Sequence, residues 1–498
     1  MTGAVTIAIG FPLDFSSGNN APMSRSRTVT INSIILSLQQ VIVNLISIFV
    51  IGYTARKLGQ EDYGVFSLAF TFPVLFSALC NMGLRTLTVR EIAKDRDTPG
   101  ASADFISRIL PPRLFFIFFV SVLIVLVAVA MGYEKKIVLV IAIATVSHIF
   151  ELISRIALDV FQAYEKMGKI AFRDVVVRLF SGIFSVIVLY LGYGIYAVAL
   201  VYLGGTIVGF GINVLLYSKY FTFRAPTLDF PFIKKNLREA FPFMLMGFTS
   251  VLYTKIDVVM LSKMVGVESV GAYNAAANLF YRLNFVGDAI ATASFSAIAQ
   301  LFWSDHKEAV NVFSNAIKQV LIIAVPMAAG GYILSAAIIQ FIFGPQYEAS
   351  EPVFRILALS IPLMFISTSF SFTLGAIREQ KFVLYTVSLL SVFNFAANLF
   401  LIPGLSEIGA AITTLATQAI GFVLMGYKIL NHFRLRIERR LILQLILATL
   451  VMVLVVQQTY FWGLIPCIAI GGIFYLAVLL ITGGREFSSR LMNVLKRN

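Results

Sequence analysis

Three strongly apolar segments of the sequence carry ionisable or amide side chains at helical spacing. Glu151 and Arg155 are four residues apart within the segment 137–161, so both lie on one face of a helix. The segment 241–262 carries Lys255 and Asp257, and the segment 270–302 carries Asn274, Asn278, Arg282 and Asp288. An ionisable group at the centre of a membrane helix costs about 2.5–3.5 kcal/mol. We therefore expect these groups to line a water-filled cavity or to pair with each other rather than to face lipid.

The chemistry that these residue types favour is binding. An arginine beside amides suits a pyrophosphate or an acidic sugar, because the guanidinium fork binds such oxygens bidentately. A carboxylate such as Glu151 or Asp257 could hold sugar hydroxyls or a coupling cation. Two structural alternatives stay open: an internal ion pair of Glu151 with Arg155, and an interhelical pair of Arg282 with Asp257 or Glu151.

The elements that position these side chains are membrane helices. The chain has 498 residues, of which 59% are hydrophobic and only 13% charged, and its mean hydropathy is +0.88. A soluble chain would carry about twice that share of charge. Apolar runs of spanning length recur along the whole sequence, and about fourteen can be distinguished. The sequence thus predicts an all-α integral membrane protein with about 14 transmembrane helices.

The net charge of +14 is compatible with nucleic-acid binding, but its distribution favours a membrane topology. The basic residues concentrate in short loops that fall on one side of the fourteen predicted segments, as the positive-inside rule requires. We therefore predict that both termini are cytoplasmic and that the partners include membrane lipids and no nucleic acid.

The short predicted loops and the lack of catalytic motifs argue against a membrane enzyme. No loop on the predicted outer side exceeds about a dozen residues, and no Gly-rich phosphate loop or metal-spaced His/Cys set occurs. Cys80 and Cys467 both fall within apolar runs and read as packing residues. We expect no catalytic residues, no metal site and no cofactor.

A short motif occurs twice. "GQEDYGVFSLA" at 59–69 returns about 207 residues later as "GVESVGAYNAA" at 266–276. Two further junction pairs repeat at an offset of about 213: 162–169 with 375–382, and 194–199 with 407–412. The chain therefore reads as two six-helix repeats in the same orientation, related by an axis along the membrane normal. The motif itself reads as a tight outer turn, in which Gly64 and Gly271 permit close helix approach.

This duplication sets the predicted domain organisation. A disordered cytoplasmic N-terminus is followed by two lobes with a basic linker between them, then by two additional helices and an amphipathic tail. The ranges, in that order, are 1–29, 30–217, 218–240, 241–430, 431–482 and 483–498.

The motifs "LGQEDYGVFSLAF" and "TKIDVVMLSKMVGVESVGAYNAAANLF" together with fourteen spans resemble the polysaccharide transporter family, the Wzx-type oligosaccharide flippases. Their superfamily also holds the multidrug and toxic-compound extruders and the lipid II flippases. The resemblance implies V-shaped lobes around a central cavity, a plasma-membrane location, and outward flipping of polyprenyl-(pyro)phosphate-linked oligosaccharide. It also implies alternating access coupled to a proton or sodium gradient, and a polymerase or glycosyltransferase of the same pathway as a partner. The alternative is a cation-coupled multidrug antiporter.

Several arginines fall at the predicted inner ends of spans, namely Arg85, Arg90, Arg113, Arg173 and Arg178. Most of them should simply obey the positive-inside rule. Given the resemblance, Arg85 and Arg178 are candidates for an inner vestibule that meets the lipid pyrophosphate.

Overall fold

The computed structural model describes residues 25–96, 98, 100–433 and 438–496, and it describes side chains for 42–44, 46–96, 98, 100–433 and 438–483. These residues are almost entirely α-helical, and no strand occurs among them. The all-α prediction is therefore confirmed. Residues 1–24 of the segment predicted to be disordered lie outside the described residues, whereas helix α1 already begins at Arg25.

The first half of the chain forms seven helices. They are α1 (Arg25–Leu75), α2 (Ser77–Asn81), α3 (Leu84–Lys94), α4 (Ala101–Ala130), α5 (Lys135–Ala163), α6 (Met167–Tyr190) and α7 (Ile195–Tyr220). Helix α1 contains a break at Gly59, whose φ of 80° and ψ of 171° are not helical. The repeated motif thus begins at a true chain turn, because glycine adopts positive φ without steric cost.

The second half of the chain also forms seven helices, and two further helices follow them. Its helices are α8 (Phe230–Met264), α9 (Val267–Ser304), α10 (His306–Ile333), α11 (Ser335–Phe343), α12 (Ser350–Leu359), α13 (Ile361–Ala376) and α14 (Gln380–Leu430), followed by α15 (Arg439–Thr459) and α16 (Leu464–Lys496). Two short 3₁₀ turns lie at Pro345–Tyr347 and Tyr460–Trp462. Helix α14 breaks at Ser406, with φ 51° and ψ −132°.

The helix bounds add detail to two predicted segments. Within the linker predicted at 218–240, only 221–229 lies outside the helices, because Asp229 caps α8 by accepting the Phe232 amide at 3.1 Å and Pro231 follows the cap. At the C-terminal end, the helical backbone of α16 runs through the tail predicted from 483 and continues to Lys496. The side chains beyond 483, and with them the predicted amphipathic face, lie outside the described residues.

Ten helices of the described part are long and apolar enough to cross a membrane, or eleven if the bent pair α12 and α13 forms one span. The chain is therefore a multi-pass membrane protein. Length and apolar composition therefore do not confirm the predicted count of fourteen. The two broken helices, α1 and α14, each count once in the total of ten, and α6 is not among the ten.

Helices α1 and α9 join the two halves. Helix α1 packs against α5 and α6 in the first half and against α9 in the second, while α9 packs against α13. We call the end of the bundle at Gly59 and Gly266 the motif end, and the end at segment 221–229 the linker end.

At the motif end, the two copies of the repeated motif pack directly on each other. Gly64 lies against the backbone of Val267, and Gly271 lies against the backbone of Gln60, so closely that neither position has space for a Cβ atom. The two contacts are reciprocal, because Gly64 corresponds to Gly271 and Gln60 to Val267 in the repeat. Such a self-matching contact is expected where two related units meet around a two-fold axis.

At the linker end, the halves meet through α3, α4 and α8. Arg90 pairs with Glu239 at 2.8 Å, and the rings of Phe105 and Phe232 pack edge to face. Gly83 lies against the α8 backbone at Ala240. The two halves therefore touch at both ends of the bundle.

Candidate functional site

Between the two halves lies a small, partly open cavity. Its charged groups are Arg178 on α6 and Arg282 on α9, so each half of the chain contributes one guanidinium. Tyr202 on α7 adds a phenol ring, and small or apolar residues complete the wall. The lining residues are Ile46, Ser47, Val50, Ile51, Arg178, Ser181, Gly182, Tyr202 and Arg282.

Of these two arginines, Arg178 is exposed and Arg282 is half-buried. Arg282 donates from Nη1 to Asn44 Oδ1 at 3.4 Å, which is a long contact to a neutral acceptor. Within the described part of the chain, no carboxylate lies within ion-pair distance of Arg178 or Arg282. The predicted alternative in which Arg282 pairs with Asp257 or Glu151 is therefore not observed. The cavity consequently presents two guanidinium groups that have no direct ion pair among the described residues.

Glu151 is occupied by other arginines. It pairs with Arg155 one helical turn away at 3.0 Å and with Arg173 on α6. Arg173 is 3% exposed and also pairs with Asp174 at 2.9 Å. The alternative of an internal Glu151–Arg155 pair is thus what the structure shows, extended by Arg173. Because two guanidinium groups neutralise this carboxylate, Glu151 stabilises the contact of α5 with α6.

Asp257 belongs to a separate polar cluster inside the second half. Its side chain is buried and accepts a hydrogen bond from the Tyr273 hydroxyl. That hydroxyl lies 3.3 Å from Thr414 Oγ1 on α14. The Lys255 ammonium lies 5.9 Å from the centroid of the Tyr281 ring. Lys255 and Asp257, two residues apart, do not share the arginine cavity.

The polar stripe along α9 divides into parts with different surroundings. Asn278 donates to the Tyr63 hydroxyl at 3.3 Å and so links α9 to α1, while buried Asn274 has an amide nitrogen with no partner among the described residues. Arg282 faces the cavity. Asp288, nearly two turns further along, is exposed and accepts from Asn284 at 3.2 Å. Of the stripe, only Arg282 lines the cavity.

Comparison with known proteins identifies the family. Residues 29–302, more than half of the chain, match the family described as polysaccharide biosynthesis protein. This chain belongs to that family. The MatE family model also matches, over residues 242–400. The family predicted from the repeated motif is thereby confirmed.

Among sequence relatives of this family member, a protein named as a low-salt glycan biosynthesis flippase of Haloferax volcanii is 23% identical over 211 residues, which is 41% of this chain and 44% of that protein. A protein named as an O-antigen transporter of Shigella flexneri is 23% identical over 327 residues, 62% of this chain and 75% of that one. The chain thus spans less than half the length of the first relative and three quarters of the second.

Solved structures confirm the fold of the family member. The lipid II flippase MurJ in an inward closed conformation superposes with a TM-score of 0.75 at 18% identity, covering 93% of this chain and all of that one. An inward-facing multidrug transporter of the MATE family superposes with a TM-score of 0.62 at 14% identity, covering 79% and 98%. The polysaccharide biosynthesis family member therefore has the helical architecture of these transporters.

Two buried arginines of the family member differ from the expectation that they simply obey the positive-inside rule. Arg113 is 0% exposed and pairs with Asp159 at 2.9 Å, and Arg173 holds Glu151 as described above. A sequence signal existed, because Arg113 and Asp159 fall at similar depth in adjacent predicted spans. Arg178, which with Arg85 is a candidate for an inner vestibule, lines the cavity together with Arg282.

Proposed function

We propose that this protein moves a polyprenyl-(pyro)phosphate-linked oligosaccharide from the cytoplasmic to the outer leaflet of the plasma membrane. The observation that carries the proposal is that Arg178 from the first half and Arg282 from the second half line the same cavity. Neither arginine has a carboxylate within ion-pair distance among the described residues. Arg282 is half-buried, and a half-buried charge without a counter-charge is unfavourable, so an anionic ligand would remove that penalty. Guanidinium groups bind phosphate oxygens bidentately, so a phosphate or diphosphate is the ligand class that fits best.

Family membership supports the same substrate class. The family is described by polysaccharide biosynthesis, and two sequence relatives carry names of a glycan flippase and an O-antigen transporter. By contrast, a cationic drug would meet two like charges in this cavity, which argues against the multidrug alternative. A glycosyltransferase that makes the lipid-linked sugar and a polymerase that consumes it are the implied pathway partners.

The transport cycle that we propose is alternating access between the two halves, as lobes 30–217 and 241–430. We infer that the linker end and both termini are cytoplasmic and that the motif end lies on the outer side, because the positive-inside rule favours the side with the basic loop residues. Opening of the linker-end contacts would admit the head group, and opening of the motif-end contacts would release it.

Asp257 is the carboxylate that we propose for ion coupling. It is buried and bonded to Tyr273, with the Thr414 hydroxyl close to the same phenol oxygen, and no arginine pairs with it among the described residues. Such a group can exchange a proton, or join hydroxyl oxygens around a sodium ion. Glu151 is less suited, because Arg155 and Arg173 already neutralise it.

The test is reconstitution in liposomes with a fluorescent polyprenyl-diphosphate-linked sugar. We expect wild-type protein to flip this lipid, and Arg178→Ala and Arg282→Ala to reduce the rate at least 10-fold. Arg224→Ala is the matched control, because it removes the same charge from an exposed residue that pairs with Asp104 at 2.7 Å outside the cavity. Transport of cationic dyes without flipping of the lipid would contradict the proposal and favour the antiporter.

A further inference from the structure

A charged triad lies at the linker end of the first half. Asp159 on α5 accepts from Arg113 Nη1 on α4 at 2.9 Å and from Arg85 Nε on α3 at 3.3 Å. The side chains of Arg113 and Asp159 are 0% and 1% exposed, whereas that of Arg85 is 50% exposed. One carboxylate therefore faces two guanidinium groups that differ in their access to solvent.

Asp159 belongs mainly to Arg113. Nε and Nη2 of Arg113 are buried and have no hydrogen-bond partner among the described residues, so Asp159 is the one counter-charge that this arginine has there. A fully buried guanidinium cannot give up its single carboxylate without leaving a bare charge in the interior. The second pair, to Arg85, is longer and reaches the surface. The triad thus carries one surplus positive charge, and it resides on Arg85.

The other arginines of α3, α4 and the segment between them pair with carboxylates other than Asp159. Arg90 pairs with Glu91 at 2.7 Å and with Glu239 at 2.8 Å, and Arg96 pairs with Glu165 at 3.0 Å. Arg108 pairs with Asp104 at 2.8 Å. Within this described region, Arg85 is the exposed arginine that shares its carboxylate, Asp159, with the buried Arg113.

Arg85 also lies where the two halves meet. Two residues before it, Gly83 (φ 69°) packs against the α8 backbone at Ala240, and Met82 has a left-handed φ of 47°. This break starts α3 directly at the seam between the halves at the linker end. Arg178 lies deeper, since about 16 Å of helix separates it from the start of α6 at 1.5 Å per residue. A ligand that enters from the linker end would meet Arg85 first.

We propose that Arg85 forms a phosphate-binding site of its own at the linker-end seam, separate from the Arg178–Arg282 cavity. Asp159 acts as its positioning residue, and Arg113 anchors Asp159. The ligand class is a lipid that carries a phosphate or diphosphate group. As the receiving site for transported lipid, the inference rests on the proposed function; as a phosphate site, it stands on the triad alone.

The experiment measures binding of geranylgeranyl diphosphate to the full chain in detergent micelles by equilibrium dialysis. We expect two sites in the wild type and one site in Arg178→Ala/Arg282→Ala. Adding Arg85→Ala to that double variant should weaken the remaining site at least 10-fold, and adding Arg85→Lys should weaken it less. Arg90→Ala in the same background is the matched control, since its side chain is 42% exposed on the same helix, and it should leave affinity within 2-fold.

Unchanged binding in the triple variant with Arg85→Ala would overturn the site. Asp159→Asn separates positioning from charge: it makes the region more positive, so a purely electrostatic role predicts tighter binding, whereas loss of positioning predicts weaker binding. Because Asp159→Asn leaves Arg113 unpaired and could fail to fold, Arg85→Lys provides a second test. It keeps the positive charge but changes the geometry of the side chain, so it also separates the effect of charge from that of positioning.

Competition identifies the source of the phosphate. Excess phosphatidylglycerol should fail to displace the probe from the Arg85 site, and equal competition would assign the site to ordinary membrane lipid and overturn its role in receiving cargo. If the cavity variants bind like the wild type while Arg85→Ala does not, the proposed function fails and the Arg85 site stands.

Discussion

Replacing Gly64 by alanine should loosen the contact between the two copies of the repeated motif. A Cβ atom at this position would lie 2.8 Å from the carbonyl carbon of Val267 and closer still to its oxygen, whereas real Cβ atoms essentially never approach within 3.0 Å. The obstacle is helix backbone and not a flexible side chain. The two halves must therefore move apart at the motif end.

The size of the effect follows from this geometry. Restoring an ordinary separation of 3.4–4 Å from the Val267 carbonyl oxygen requires the backbones to separate by roughly 2 Å. Overpacking of this kind costs about 1–3 kcal/mol, which corresponds to about a 5- to 150-fold shift between two conformations. Hydrogen bonds across the same seam persist, such as that from Tyr347 to the Gly59 carbonyl at 3.1 Å, so the closed state should be weakened and not abolished. Gly271→Ala, at the reciprocal contact, should act in the same direction.

A reporter cysteine measures the opening. Ser47→Cys lines the cavity, and Cys80 and Cys467 are both buried and can be replaced by alanine. A membrane-impermeant maleimide added from the motif side should label Ser47→Cys about 5- to 150-fold faster in Gly64→Ala than in the parent, in proportion to the open population. Gly211→Ala is the control, because nothing lies within 4 Å of its Cβ. Equal labelling rates for Gly64→Ala and the parent, with both folded, would refute the steric reasoning.

Three further predictions concern the charged clusters. Arg113→Ala should lower the free energy of unfolding by up to about 3–5 kcal/mol, because it leaves buried Asp159 with only the longer pair to Arg85. Arg85→Ala should lower it by at most about 1 kcal/mol, because Asp159 keeps its buried pair with Arg113. Thermal unfolding in micelles compares the two variants. Tyr273→Phe removes the hydroxyl that Asp257 accepts from and should shift the proton or sodium dependence of flipping in liposomes, with binding of the lipid probe unchanged. The hydrogen bond from Lys428 lowers the pKa of Glu379. The pair therefore stabilises the fold fully at pH values above the pKa of an unperturbed glutamate, about 4.3. This stabilisation is lost as the pH falls through the lower pKa that Glu379 has in the folded protein. Glu379→Gln should therefore flatten the acid-side decline of the unfolding temperature, and an unchanged decline would exclude the pair as its cause.

Much of the fold follows from the sequence because lipid imposes strong rules. Apolar runs of spanning length must be helices in order to satisfy their backbone hydrogen bonds, and the constant offset between the two motifs predicts related halves. The ends of helices were less accessible to prediction. The start of α8 depends on the cap at Asp229 and on Pro231, which extend the helix beyond its apolar part. Likewise, the turn between the predicted spans 381–402 and 407–430 is a break at Ser406, a non-glycine residue with a φ of 51°.

The site was predictable in its residues but not in its pairings. Helical spacing identified the pair of Glu151 with Arg155, and the cost of inserting a charge into the membrane identified Arg282. The position of Arg178 within its predicted span, however, does not show that it lines the same cavity. Arg178 and Arg282 come from helices of different halves, and only tertiary packing brings them together. The same limit applies to Arg113, whose carboxylate lies 46 residues away in sequence.

Pairing, rather than the number of charges, decides the character of the cavity. A count of ionisable groups in the predicted spans gives nearly equal acids and bases, which suggests a site of little net charge. In the structure, however, Glu151 forms an ion pair with buried Arg173, and Asp159 forms one with buried Arg113. Asp257 lies in a different cluster. Two guanidinium groups are left facing the cavity, one from each half. An anion held between them would relieve their repulsion and contact both halves at once, so binding the head group and bringing the halves together would be the same event.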